Sequence, residues 1–116
     1  MFEIRFTRAA ERYLKKIKER GLREAFRDAL KKIGADPYIG ELKTGSLAGV
    51  YCYDVYYSKT NYELAYRIYE EDSQMVVVIL AGTRENFYDE LKRYMKEFLS
   101  LSQIWKMKTE INYLTD

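Results

Sequence analysis

At 116 residues, 47% hydrophobic and 33% charged, the chain is sized for one compact domain with a single hydrophobic core. It has no histidine and one cysteine, Cys52. That excludes imidazole acid–base chemistry, Ser-His-Asp and Cys-His triads, His-ligated or four-Cys zinc and any internal disulfide. The formal net charge is only +2, but it is unevenly spread: residues 1–50 hold twelve Lys+Arg against seven Asp+Glu, residues 51–116 eight against eleven.

Phe2 to Phe6 alternates apolar and charged residues as a first strand does. Thr7 is placed to cap a helix with Ala10, Tyr13, Leu14 and Ile17 at helical spacing, which Gly21 is expected to end. Leu22, Phe26, Ala29, Leu30 and Ile33 make the stripe of a second helix, stopped at Gly34 and Asp36-Pro37. Residues 38–49 read as a loop carrying Gly40, Gly45 and Gly49. It lacks the Lys-Ser/Thr ending of a phosphate-binding loop. Three strands follow, Val50–Ser58, Asn61–Tyr69 and Met75–Ala81, joined by tight turns as an antiparallel meander. The last is the longest apolar run, bounded by turn-like residues, and reads as a buried strand. A third helix runs from about Arg84, with Phe87, Leu91, Tyr94, Met95 and Phe98 on its buried face. No run approaches the roughly 20 apolar residues of a membrane helix, and Met1 to Arg5 lacks a secretory pattern. The expected setting is cytoplasmic, with no membrane partner. The fold class is α+β: an N-terminal strand and two-helix hairpin packed on an antiparallel meander, followed by a C-terminal helix.

Residues 1–100 make one domain and residues 101–116 an amphipathic helical extension of it. In that tail Ile104, Met107, Ile111 and Leu114 step by three or four, beside Trp105, the only tryptophan. The stripe suits packing on the chain's own core, a second copy or another protein, or cover for the open sheet face.

Three segments together resemble the RelE/ParE superfamily, toxins of bacterial type II toxin–antitoxin systems. They are Glu41-Leu42-Lys43 with Leu47-Ala48-Gly49; Asn61-Tyr62-Glu63-Leu64-Ala65-Tyr66-Arg67-Ile68; and Val76 to Leu80 with Ala81-Gly82-Thr83-Arg84-Glu85 and Tyr88. The likeness spans roughly residues 1–97. It implies a RelE-like fold, an antitoxin partner and one of two activities. RelE-like members are ribosome-dependent mRNA endoribonucleases that bind RNA and inhibit translation. ParE-like members inhibit DNA gyrase without enzymatic chemistry, and a catalytically degenerate chain would bind only its antitoxin. Neither activity requires a cofactor or metal.

Carried over residue by residue, the likeness puts Arg84 at the phosphate-binding arginine, Tyr88 at the tyrosine that stacks on a base or assists proton transfer, and Lys43 at the loop lysine. The strands depart: Asp54 and Tyr56 stand where RelE has lysines, and Glu63 where it has an arginine. Arg67 lies four residues beyond Glu63, on the same face by alternation. Glu63, Arg67, Arg84 and Tyr88 are thus the candidate catalytic residues, and Lys43, Asp54 and Tyr56 the candidate substrate contacts. A carboxylate here serves as general base, or it repels RNA and leaves a binding module. Plain structural readings stand beside these: Glu63 and Arg67 as a salt bridge across a wet sheet, Arg84 and Glu85 as a helix start, Tyr88 as rim packing, and Arg12, Lys15, Lys16, Lys18 and Arg20 as a solvated helix face.

Overall fold

The computed structural model describes residues 1–101, with side chains through Lys96. Five strands form one sheet: β1 (Glu3–Phe6), β2 (Glu41–Leu42), β3 (Tyr51–Tyr57), β4 (Thr60–Tyr69) and β5 (Met75–Thr83). Their spatial order is β1-β5-β4-β3-β2. β1 runs parallel to β5, pairing Glu3 with Met75 and Phe6 with Val78, and all other neighbours are antiparallel. The parallel pair needs a long crossover, and the helical hairpin is part of it. The β3–β4 connection is a two-residue turn in which Ser58 and Lys59 both take positive φ (51° and 67°), which matches the twist of the flanking strands.

Helices α1 (Arg8–Lys15) and α2 (Arg20–Ala35) cover one face of the sheet. Ile4, Phe6, Leu14, Phe26, Leu30 and Ile33 form that core with Leu64 and Tyr66 of β4, and Tyr62 and Ile68 pack at its margin. The expected alternation therefore holds: Tyr62, Leu64, Tyr66 and Ile68 face the hairpin, and a one-residue slip would reverse every side chain. Thr7 caps α1, its hydroxyl accepting from Ala10 N at 3.2 Å and donating to the Ile79 carbonyl at 2.6 Å.

Helix α3 (Phe87–Leu101) lies on the other face. Its Phe87, Leu91 and Met95 pack on Val50, Cys52, Ala65, Val77 and Ile79. β5 is thus apolar on both sides, as its unbroken run requires. A register shift opposite Ala65 and Tyr66 leaves Ile79 unmatched in the ladder; Val76, Val78 and Ala81 join the hairpin core, Val77 and Ile79 the α3 core.

Three expectations change. Gly21 does not end the first helix, which stops at Lys15; it lies in the first turn of α2. Its role is close approach, because a side chain there would collide with the Tyr57 ring, whose hydroxyl donates to Glu19 at 3.0 Å. The 38–49 loop contains two 3₁₀ turns and the short edge strand β2. The third helix starts at Phe87 rather than Arg84. The side chain of Phe98, expected on the third helix's buried face, the tail stripe and Trp105 lie outside the described residues. Among the described residues no helix is long and apolar enough to cross a membrane.

Candidate functional site

Alternation that sends Leu64 into the hairpin core sends Glu63 to the opposite face, where it is 1% exposed. It sits across from Asp54 on β3 and Gly82 on β5. The Tyr88 hydroxyl donates to Glu63 Oε1 at 2.9 Å, and Arg84 Nε lies 3.7 Å from Oε2. Oε2 itself is buried and accepts no hydrogen bond. Burial pushes the Glu63 carboxyl above the ordinary carboxylate range. The Tyr88 bond opposes that shift, Asp54 adds to it, and Arg84 and Lys43 oppose it.

The turn between β5 and α3 supplies two of these partners. Arg84 N donates to the Asn61 carbonyl at 2.9 Å, and Phe87 N to the Arg84 carbonyl at 3.1 Å. Asn86 takes φ 60°, a conformation asparagine tolerates. This tight turn puts the 60%-exposed Arg84 and the first turn of α3, with Tyr88, on either side of Glu63.

The lysine comes from the far edge. Lys43 N donates to the Val50 carbonyl at 2.8 Å, which closes the β2–β3 link. Its ammonium donates to Glu41 Oε1 at 2.7 Å and lies 4.7 Å from the centre of the Tyr88 ring, a cation–π distance. The Glu41 bond holds Lys43 protonated well beyond neutral pH. Burial raises the Tyr88 phenol; Lys43 opposes the rise and Glu63 adds to it, so the phenol is neutral at physiological pH.

Gly40, Glu41, Cys52, Asp54 and Glu63 wall a cleft of about 300 Å³ beside the carboxylate. Burial pushes the Cys52 thiol up to about 12, which makes it an inert wall. The loop leading into β2 is pinned from the other face of the sheet. Tyr66, stacked on Tyr51, donates its hydroxyl to the Pro37 carbonyl at 2.7 Å and accepts from Gly40 N at 3.1 Å.

Of the seven residues selected from sequence, the fold gathers Glu63, Arg84, Tyr88 and Lys43, with Asp54 at the cleft wall. Tyr56 is 70% exposed at the rim, across from Asn61, the residue that anchors Arg84. Arg67 does not join them. Four strand residues carry it about 13 Å from Glu63, and its guanidinium lies against Gly49, where a Cβ would come within 2.9 Å of Nη2. Gly49 has φ +89°, so this site suits glycine twice over. The face that Glu63 and Arg67 share therefore holds them in two separate places, and the ion-pair partner of Glu63 is Arg84 rather than Arg67. Sequence reading missed Glu41 as the partner of Lys43, because a two-residue strand leaves no periodic signal. Among the described residues no group of three His, Cys, Asp or Glu side chains could hold a metal ion.

A family model for the ParE-like toxin of type II bacterial toxin–antitoxin systems matches residues 4–92. Among solved structures, a double arginine-to-alanine mutant of the E. coli toxin RelE in the free state superposes with a TM-score of 0.64 at 20% identity, covering 82% of this chain and 96% of that one. At that identity the likeness is one of fold. No curated protein matches the sequence.

Proposed function

Because this chain belongs to the ParE-like toxins of type II bacterial toxin–antitoxin systems, and so has an antitoxin as its partner, we propose that it acts as a ribosome-dependent mRNA endoribonuclease whose general base is Glu63. The observation that carries this reading is the buried Glu63 carboxylate, bonded by the Tyr88 hydroxyl and flanked by Arg84. A carboxyl raised toward neutral pH is a better base than an ordinary one, because it binds the proton it removes more tightly.

The step balances with these groups. Glu63 Oε2, the oxygen without a hydrogen bond, takes the proton of the ribose 2′-hydroxyl. The 2′-oxygen attacks phosphorus and the P–O5′ bond breaks, leaving a 2′,3′-cyclic phosphate and a 5′-hydroxyl. Arg84 faces the charge that grows on the non-bridging oxygens. The neutral Tyr88 phenol gives its proton to the departing 5′-oxygen, and the nearby Lys43 ammonium stabilises the phenolate left behind. Proton exchange with solvent then returns Glu63 to the carboxylate and Tyr88 to the phenol, which resets both groups. Tyr56 offers its ring to a base at the rim, and Asp54 keeps the Glu63 carboxyl basic. Arg67 takes no part in the step.

A second reading rests on a different observation. Glu41, Asp54 and Glu63 crowd one cleft, where Lys43 pairs with Glu41 and Arg84 with Glu63, and carboxylates there repel a phosphate chain. It makes the chain a gyrase inhibitor or a pure antitoxin binder. Primer extension on translated mRNA after induction, run beside a gyrase supercoiling assay, decides between them. Cleavage sites that vanish in Glu63→Gln support the ribonuclease. Intact mRNA with inhibited supercoiling overturns it.

A further inference from the structure

Beyond the cleft, the loop after Lys43 meets α3, where Leu47 packs with Phe87, Leu91 and Met95. Its Ser46 and the α3 residues Lys92, Arg93, Met95 and Lys96 line a second cleft of about 490 Å³, with buried Met95 as the floor and three cations on the rim. Lys92 and Lys96 are exposed and one helical turn apart. Like charges at that spacing weaken a helix slightly, and among the described residues no ion pair joins Lys92, Arg93 or Lys96 to an acid. Asp89 and Glu90 precede them on the same helix without closing a bridge to them. Among the described residues nothing else accounts for this arrangement.

The spacing accounts for it. Tyr88, Lys92 and Lys96 follow at intervals of four residues, about 6 Å along the helix axis, which is comparable to the separation of successive phosphates in an extended single strand. Lys43 stands over Tyr88 at one end of this row, and Ser46 stands opposite Lys92 and Lys96 at the other. We infer that the row is a track for single-stranded RNA: Lys92 and Lys96, with the Ser46 hydroxyl, hold the backbone phosphates of the nucleotides flanking the one at Glu63. This rests on the ribonuclease reading for what happens at Glu63, but not for the binding itself. The track holds substrate by charge and is indifferent to base identity.

The test uses the full chain and a short single-stranded RNA with 2′-O-methyl sugars, which cannot be cut. Binding is followed by fluorescence anisotropy over a range of salt. The Lys92→Ala, Lys96→Ala double variant is expected to weaken binding roughly tenfold at low salt and to flatten the salt slope by about 1.4, two phosphate contacts at roughly 0.7 each. Lys92→Arg, Lys96→Arg keeps both charges and restores binding. Equal affinity and equal slope in wild type and alanine variant overturn the track while leaving the ribonuclease reading intact. Lysine-dependent binding by a wild-type protein that cuts no translated mRNA on the ribosome overturns the ribonuclease reading and leaves the track standing. Loss of antitoxin capture with RNA binding unchanged assigns the cleft to a protein and overturns the inference.

Discussion

Glu63 carries two opposed demands. Its burial raises the folded-state pKa, so the carboxyl stabilises the fold while protonated, below the unfolded-state value, and that contribution disappears as pH rises through the folded-state value. Catalysis needs the ionised form. Glu63→Gln is therefore expected to abolish cleavage and to melt at a higher temperature than wild type at pH 8, with the difference shrinking toward pH 4; calorimetry across that range checks the sign. The acidic limb of the wild-type pH–rate profile should lie above that of an ordinary glutamate. Arg84→Ala removes one phosphate contact, and single-turnover cleavage should fall about a hundredfold. Since Arg84 is 60% exposed and its only ion-pair partner among the described residues is Glu63, its stability should hardly change.

At the scale of elements, the site depends on contacts made on the opposite face of the sheet. Tyr66 is fully buried under the helical hairpin, yet its hydroxyl holds Pro37 and Gly40, and through them the entry into β2 that carries Glu41 and Lys43. Tyr66→Phe leaves the Pro37 carbonyl and the Gly40 amide short of a partner. Urea denaturation should report a loss of about 1–3 kcal/mol, and cleavage should drop even though the residue touches no substrate. The β5–α3 turn is the second such device: its bond to the Asn61 carbonyl ties Arg84 to the β4 strand that bears Glu63.

Across the whole molecule, the two faces of the sheet have separate tasks. One is buried by α1 and α2 and gives the fold its main core; the other is only partly covered by α3 and keeps the cleft open. The excess of positive charge in residues 1–50 belongs mostly to the hairpin, whose outer surface faces solvent. An acidic antitoxin segment meeting that surface should associate quickly at low salt and more slowly as salt rises, while its dissociation rate changes little. Stopped-flow mixing with the purified antitoxin measures both rates. A salt-independent association rate would remove the hairpin from the docking path.

Local patterning was enough to place β4, with Tyr62, Leu64, Tyr66 and Ile68 inward and Glu63 outward, because strand alternation depends only on neighbours in the chain. The same holds for β5 as a buried run and for the stripes of α1, α2 and α3, whose period is a property of the helix. The likeness of three short segments also led to the toxin family that residues 4–92 match. Alternation correctly set Arg67 on the face of Glu63, but a shared face is not a shared site, and four residues of strand keep them apart. The pairing of Lys43 with Glu41, the approach of Tyr57 to Gly21 and the parallel course of β1 beside β5 join residues far apart in the chain or in elements too short for periodicity. Such contacts are decided by register, turn geometry and packing, which exist only once the sheet and its two layers have closed around them.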